Sequence, residues 1–385
     1  MNLTVAMIGE FPVGPDLIHG GCESVMLYLS QGLAAIPGVA VEAVTIDRWN
    51  LGARQETYGK LRTNYLTRSK MPLRAHVWDD IRTVTNFLRR LQPDIVHAHV
   101  ASMYAEAAHR AGLPWVLTLH GVCHLEAELL EGWVDRIYRK RLILRAEQNN
   151  IRRASNIIAI NPFIEDSYRG QLPESIFHIE NPVAHRYFEI DAINEPNRLL
   201  YVGRLIPLKD VHTLLRAFRL IRERIPGAQL RLAGNAGEVK FQAYADGLQQ
   251  FVQEAGLQDS VVFLGHLSEA DLLEEYARAA VITQSTLLET APMAVAQAMA
   301  AATAVVATDA GGTRYLVKEG STGHIVPLSD HQRFAAVLCE LLERDSRALE
   351  FGHNARQLAL RRFTPDVVAR ATLTAYETIL ARKRQ

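Results

Sequence analysis

Residues 282–320 read ITQSTLLETAPMAVAQAMAAATAVVATDAGGTRYLVKEG. An apolar strand over 281–283 runs into a loop that carries one carboxylate, Glu289. Pro292 then opens a helix, a position that suits proline because a first-turn N–H has no intrahelical partner. The helix is almost entirely small and apolar, which predicts that it is buried. A second apolar strand (304–307) follows, then Asp309, the pair Gly311-Gly312 and another short helix. The backbone of Thr290, Ala291, Pro292 and Met293 therefore lies at a helix start beside a carboxylate. Such a place binds a polyhydroxylated or anionic ligand, because free N–H donors and the helix dipole point at it. Taken alone, Glu289 reads equally well as a surface acid complementing that dipole.

Outward from this stretch, strand-like runs alternate with helical patterns along the whole chain, which predicts parallel sheets in an α/β architecture. Leu3–Ile8 is the first strand and leads through a glycine-rich loop to a helix near Gly20-Gly21, a spacing unlike the dinucleotide fingerprint. Glycines there let backbone approach a diphosphate closely, although most such pairs are simply turns. Between Trp49 and Arg74 periodicity fails and basic residues accumulate (Arg54, Lys60, Arg62, Arg68, Lys70, Arg74), so a long functional or mobile loop is expected. QPDIVHAH ends a strand on His97 and His99, and the next strand ends on His120-Gly121. Ligands of open α/β sheets bind beyond the carboxyl ends of strands, so His99 and His120 are candidates for a donor or acceptor site. Residues 135–153 carry a dense set of Arg and Lys on a helical pattern. On charge alone this is a solvated helix face; the sharper reading is contact with an anionic bilayer holding a lipid-linked acceptor. The turn-rich segment 181–197 reads as a linker. Beyond it, RLLYVGRLIPLKD starts a new strand-loop-helix unit, and the final helix, 366–384, shows an apolar stripe at Val368, Ala371, Ala375 and Ile379.

The chain has 385 residues and an apolar fraction of 48%, enough for two cores. Its 42 basic and 42 acidic residues cancel, so nothing favours a polyanion such as nucleic acid as partner. Cys22, Cys123 and Cys339 lie far apart without metal-ligand spacing and read as thiols of a reducing cytoplasm. MNLTVAMIGEF lacks the basic flank and cleavage site of a signal peptide. No apolar run reaches the length a membrane span needs, about 18–20 residues. A cytoplasmic protein, peripheral at most to the inner face of a membrane, is expected.

The order strand, Ser/Thr, Glu289, Pro292-Met293, small-residue helix, Val-Val-Ala-Thr, Gly-Gly resembles the donor-sugar motif of the retaining glycosyltransferases of family four. Gly20, Gly21 and Glu23 resemble that family's Gly-Gly-x-Glu turn; His99 and His120 match its DxxHxH and TxHG signatures; Gly203, Arg204 and Lys209 match its GR(x4)K motif. The resemblance covers nearly the whole chain and implies the GT-B fold: two Rossmann-like α/β domains facing each other across a cleft, with the C-terminal helix crossing back to the first. The expected domains are 1–184 with 366–385 on the acceptor side and 190–365 for the donor. It implies that a nucleotide-diphosphate sugar, a substrate and not a cofactor, meets Gly203, Arg204, Lys209, Gly265, Glu289 and Gln297. Arg204 and Lys209 neutralise the leaving diphosphate, Glu289 orients the sugar, and His120 contacts it from the first domain. No Asp-x-Asp-type pair sits at a strand end, in keeping with transfer that needs no metal.

Two departures stand out. Where the family has a second Glu eight positions after the first, for the ribose, this chain has Gln297, and where the family has Gly and Pro after the helix it has Ala302 and Ala304. A residue at the Gly position normally adopts the left-handed conformation, at a cost of about 1 kcal/mol for Ala. The expected activity is transfer of a hexose-type sugar, with retention, to a glycan, lipid or small-molecule acceptor. Two alternatives stay open: an isomerase or hydrolase of the nucleotide sugar, and a catalytically silent sugar-nucleotide-binding module.

Overall fold

The computed structural model describes residues 3–14, 18, 20–71, 75–128 and 140–384. It forms two compact units, residues 1–182 with 364–385 (unit 1) and residues 183–363 (unit 2). In unit 1 the order is β1 (Leu3–Ile8), α1 (Gly21–Ala35), β2 (Val39–Ile46), β3 (Arg54–Tyr58), β4 (Leu61–Leu66), α2 (Ala75–Leu91), β5 (Ile95–His99), α3 (Met103–Ala111) and β6 (Trp115–Leu119). There follow α4 (Cys123–Glu128), α5 (Lys140–Arg153), β7 (Asn156–Ala159), α6 (Pro162–Ser167) and β8 (Ser175–His178). The sheet order is β3-β4-β2-β1-β5-β6-β7-β8, parallel except for β3. Its central strands are buried apolar runs, as expected where helices cover both faces of a parallel sheet. Local signals agree with the boundaries: the Ser102 hydroxyl accepts the Tyr104 N–H at the start of α3, and Gly112, at φ 75°, ends that helix.

The segment expected as a long loop, 49–74, is a correction: it contains β3 and β4, and β4 extends the sheet parallel to β2. Gly59, at φ 63°, makes the two-residue turn that brings Tyr58 opposite Leu61. No hydrophobic alternation announces these strands because polar pairs fill them. Buried Asn64 is held by Glu42 (2.9 Å) and by Gln55 (2.7 Å), and Arg54 lies over the Tyr65 ring at 3.6 Å. Arg74 lies outside the described residues.

Unit 2 runs α7 (His185–Phe188), β9 (Arg198–Val202), α8 (Val211–Arg224), β10 (Gln229–Ala233), α9 (Gln242–Glu254), β11 (Val261–Gly265), α10 (Glu269–Arg278), β12 (Val281–Gln284), α11 (Met293–Ala300), β13 (Ala304–Thr308), β14 (Gly323–Val326), α12 (His331–Leu342) and α13 (Asp345–Arg362). All six strands are parallel, in the order β11-β10-β9-β12-β13-β14. That is the dinucleotide-fold order, in which the chain reverses direction across the sheet between its first and fourth strands, here β9 and β12. Within the expected linker, Tyr187 of α7 is buried edge-on to Tyr276 of α10. A buried network in which Glu275 receives Arg198 and Arg231 ties α10 to β9 and β10.

The last helix, α14 (Pro365–Arg384), belongs to unit 1, where it lies along α1. Gly32 of α1 is necessary there, since a Cβ would fall 2.9 Å from the Pro365 carbonyl oxygen. Its buried stripe is Val368, Ala369, Thr372, Ala375, Tyr376 and Ile379. Ala371, expected in that stripe, is exposed, because the helix turns Thr372 inward instead.

Candidate functional site

In unit 2 the candidate residues gather where the sheet reverses. β9 ends in the loop Gly203–Asp210, and β12 ends in the loop Ser285–Pro292; both leave the carboxyl edge of the sheet at that switch point. Hydroxyls lace the two loops together. Ser285 donates to the Lys209 carbonyl (3.0 Å), Thr286 to the Leu208 carbonyl (3.0 Å), and Thr308 of β13 to the Thr286 carbonyl. The Leu287 amide also bonds the Leu208 carbonyl, at 2.9 Å. Glu289 is fixed through its backbone: its N–H donates to Ala310 O (3.0 Å) and its carbonyl accepts from Gly312 N–H (2.8 Å). The outcome is a direct ion pair between Lys209 Nζ and Glu289 Oε1, both largely buried.

Arg204 differs from Lys209. It is exposed and makes no ion pair among the described residues, so its guanidinium is open to a ligand. Beneath it, buried Tyr201 donates to the Arg204 carbonyl (3.1 Å), and burial, followed by the charge of Glu289, pushes the Tyr201 phenol up. Gly203, Gly234 and Gly265 end β9, β10 and β11 side by side. Gly234, at φ 136°, could carry no Cβ, which would lie 2.0 Å from Gly203 O, and its N–H bonds Gly265 O at 2.7 Å. The edge is thus low and open on the β10–β11 side of Arg204.

Pro292 stands just before α11 and has no N–H to give, so the donors expected over 290–293 reduce to Thr290, Ala291 and Met293. Thr290 and Pro292 are buried; Ala291 and Met293 are half-buried. Gln297 points inward, its Oε1 accepting from the hydroxyl of fully buried Tyr276 at 3.2 Å. Ala302 does adopt the left-handed conformation expected for the glycine it replaces, at φ 59°. Its carbonyl presses against α13, where Gly352 leaves room that a Cβ would fill at 2.0 Å.

In unit 1 the corresponding switch point lies between β1 and β5. Gly20 caps α1 in extended backbone, and Ser24 and Gly21 bond within the first turn. Across from them three histidines stack. His97 and His99, two apart on β5, share a face with ring centroids 4.2 Å apart, and His99 lies 5.0 Å from His120 at 12° between planes. His97 is satisfied at both nitrogens, by Tyr376 Oη of α14 and Thr118 Oγ1 of β6, each at 2.6 Å. His99 Nδ1 bonds His120 Nε2 at 2.7 Å. Burial keeps all three rings neutral, lowering His97 to about 3, His120 to about 4 and His99 well below its ordinary range. A water-sized cavity lies against them, bordered also by Asn181 and Thr372. His99 is only 2% exposed and is bonded to His120, so it is not itself open to a ligand.

Of the basic segment 135–153, residues 135–139 lie outside the described residues, and the remainder forms α5. Ile151, Asn150 and Glu147 anchor it, and Arg141, Arg145 and Arg152 are exposed with Ile143. Among the described residues no helix is long and apolar enough to cross a membrane. The contacts that sequence reasoning missed, Tyr376 on His97, Tyr276 on Gln297 and Lys209 on Glu289, join residues distant in the chain.

Two family models divide the chain between them. The one described as "Glycosyl transferases group 1" matches residues 185–358, and "Glycosyltransferase Family 4" matches residues 19–186. Among curated proteins the chain is 29% identical over 306 residues to a glycogen synthase of Mycobacterium tuberculosis, covering 77% of this chain and 70% of that protein. It is 28% identical to the putative glycosyltransferase EpsD of Bacillus subtilis, covering 70% of this chain and 72% of that one. Among solved structures it resembles sucrose-phosphate synthase from Thermosynechococcus elongatus (TM-score 0.84, 21% identity, 99% of this chain and 100% of that one). It also resembles Anabaena HepE in complex with UDP and glucose (TM-score 0.75, 18% identity, 98% of this chain and 100% of that one). Two units built on parallel sheets, and two models that together span residues 19–358, make the chain a group 1 glycosyltransferase of the GT-B fold.

Proposed function

We propose that the chain transfers a hexose-type sugar from a nucleotide-diphosphate sugar to a hydroxyl acceptor, with retention of anomeric configuration and without a metal. The observation that carries this reading is the Lys209–Glu289 ion pair at the switch point of unit 2, with Arg204 exposed on the same loop as Lys209. A diphosphate needs cations as it departs, and an open guanidinium beside a lysine supplies two without a metal ion. Because Lys209 is already paired to Glu289, diphosphate and sugar are read by one coupled pair: phosphate that draws Lys209 away frees a carboxylate oxygen for a sugar hydroxyl. Gly203 and Gly265 border the space beside Arg204 for the rest of the nucleotide. Gln297 keeps one amide face for the ribose side while its carbonyl is held by Tyr276. From unit 1 the reading takes Gly20-Gly21 and His120 as further contacts of the donor.

HepE has been crystallised with UDP and with UDP-glucose, which favours a uridine donor here. The acceptor is a glycan, a lipid or a small molecule, and the exposed arginines of α5 suit a cytoplasmic enzyme meeting a lipid-linked acceptor at an anionic surface.

A thermal-shift panel of UDP-, GDP- and ADP-sugars tests donor binding, since a ligand of the native state raises Tm. A uridine sugar should give the largest shift, and no shift with any nucleotide sugar would overturn the reading. Turnover should persist in excess EDTA; loss restored by Mn²⁺ or Mg²⁺ would overturn the metal-free mechanism. Release of free sugar without acceptor dependence would favour the hydrolase alternative, and an inverted anomeric signal in the product would overturn retention.

A further inference from the structure

Helix α5 reaches inward with two polar side chains, and each ends on a turn that follows a histidine at a strand end. Glu147 and Asn150, three apart and so on one face of the helix, are 2% and 3% exposed. Oε1 of Glu147 accepts from the Cys123 N–H at 3.1 Å and from the Tyr168 hydroxyl at 2.5 Å. Cys123 is the first residue of α4, just past His120, and a first-turn N–H has no partner within its own helix. Tyr168 Oη also lies 3.5 Å from the Gly121 carbonyl oxygen, and its ring meets His124 edge-on at 5.2 Å. Asn150 Nδ2 donates to the carbonyls of Ala101 (3.2 Å) and Ser102 (3.0 Å), in the turn after His99. That turn holds Val100 at φ 69°, a conformation that β-branched residues avoid and that persists only where the surroundings impose it. A carboxylate is hard to bury, and an apolar side chain of similar size is often equally stable in its place. What the carboxylate adds here is two directed, charge-assisted bonds on the turn that carries His120.

We infer that Glu147 is a positioning residue for the transfer reaction: from α5 it holds the turn His120–Cys123 in one place, while Asn150 holds the turn after His99. This rests on the reading of His120 as a donor contact. Without the carboxylate, the Cys123 N–H loses its partner and the turn is free to shift. A displacement of about 1 Å at a contact with the reacting sugar lowers rate more than binding.

Glu147→Gln keeps the shape and an oxygen that can accept both bonds, whereas Glu147→Leu has no acceptor. Labelling the full-length protein with ¹⁵N-cysteine gives three amide signals, from Cys22, Cys123 and Cys339. The Cys123 amide should resist hydrogen exchange in wild type and in Glu147→Gln, and should exchange about tenfold faster or more in Glu147→Leu. In UDP release from UDP-glucose, Glu147→Leu should lower kcat about tenfold with donor KM changed less than about threefold, and Glu147→Gln should stay close to wild type. Tyr168→Phe removes one hydroxyl and little volume, and it carries the test if Glu147→Leu melts below the assay temperature. Its kcat should fall about threefold as its Cys123 amide exchanges faster. Tyr104→Phe is the control for lost stability alone, because the Tyr104 hydroxyl accepts from the Ile46 N–H of β2 at 3.1 Å and not from the Cys123 turn. An unprotected Cys123 amide in wild type, intact kcat in Glu147→Leu, or an equal loss in Tyr104→Phe would overturn the inference. So would a Glu147→Gln variant as slow as Glu147→Leu with its Cys123 amide still protected. Wild type that releases no UDP would instead fail the uridine-donor reading, and exchange of the Cys123 amide would still decide whether Glu147 holds the turn.

Discussion

At its switch point between β1 and β5, unit 1 gathers three histidines that burial keeps neutral; between β9 and β12, unit 2 gathers Arg204, Lys209 and Glu289. The same sheet topology creates both places, and the side chains give them opposite electrostatics. A neutral, hydrogen-bonded wall carries no charge to attract phosphate. On the proposed function, a charged one would hold the leaving diphosphate, as it would any other phosphate.

The comparison breaks most sharply at Glu289. Glu289→Gln keeps its size and leaves Lys209 without its partner, and kcat should fall about 10²–10³-fold, the range for one preorganised polar group; a loss under threefold in steady-state kinetics would remove Glu289 from the chemistry. Acid should separate the units next. A histidine whose folded pKa lies below 6.5 binds its proton only in the unfolded chain as pH falls. Stability is therefore lost from about pH 6.5 downward and the loss levels off near pH 3–4. Between pH 7 and 5.5 that amounts to about 1 kcal/mol per histidine, about 3 kcal/mol for the three. Unit 2 has one such group, His212, also lowered by burial. Its buried Glu275, which burial pushes up and Arg231 and Arg198 pull down further, gives up stability only as pH falls through and below the ordinary carboxylate range. Hydrogen exchange followed peptide by peptide at pH 5.5 should show unit 1 opening first, and equal opening would refute the neutral wall.

Arg204→Ala should cost about 1.5–3 kcal/mol in kcat/KM, the worth of a charge-assisted phosphate contact. Lys209→Ala should cost less, because Lys209 already spends part of its charge on Glu289. Kinetics with one nucleotide sugar order the two. Gln297→Glu should change donor affinity by no more than about 1–2 kcal/mol, since Tyr276 can donate to either side chain; calorimetry with the nucleotide alone checks it. Smallest of all, Ala302→Gly should stabilise unit 2 by up to about 1 kcal/mol by relieving a left-handed Ala, visible as a Tm rise of about 2–4 °C, with kinetics unchanged.

Most of this architecture is legible because burial on both faces of a parallel sheet forces apolar runs, and those runs stand clear in the chain. The hairpin of β3 and β4 was not, since Asn64, Glu42 and Gln55 satisfy one another where apolar side chains would have marked a strand. Within the site, motif spacing brought out Arg204, Lys209, Glu289, His99 and His120. It could not show that Lys209 touches Glu289 across 80 residues of sequence, or that Tyr376 closes on His97 across 279. Ala302 is the opposite case: a positive φ at a helix end follows from local sterics, and the chain keeps it even without the glycine.

The return of α14 to unit 1 also sets the order in which the protein can be born. A ribosome releases the chain from its amino end at about 5–20 residues per second. Unit 2 is one continuous segment, complete once Phe363 has emerged. Unit 1 begins first yet lacks its last helix, so His97 waits for Tyr376, and the face of α1 around Gly32 stays uncovered until Pro365 and Ala369 arrive. The half of the molecule that is made first is therefore the half that is finished last, and the histidine wall is sealed by the final turns of the chain.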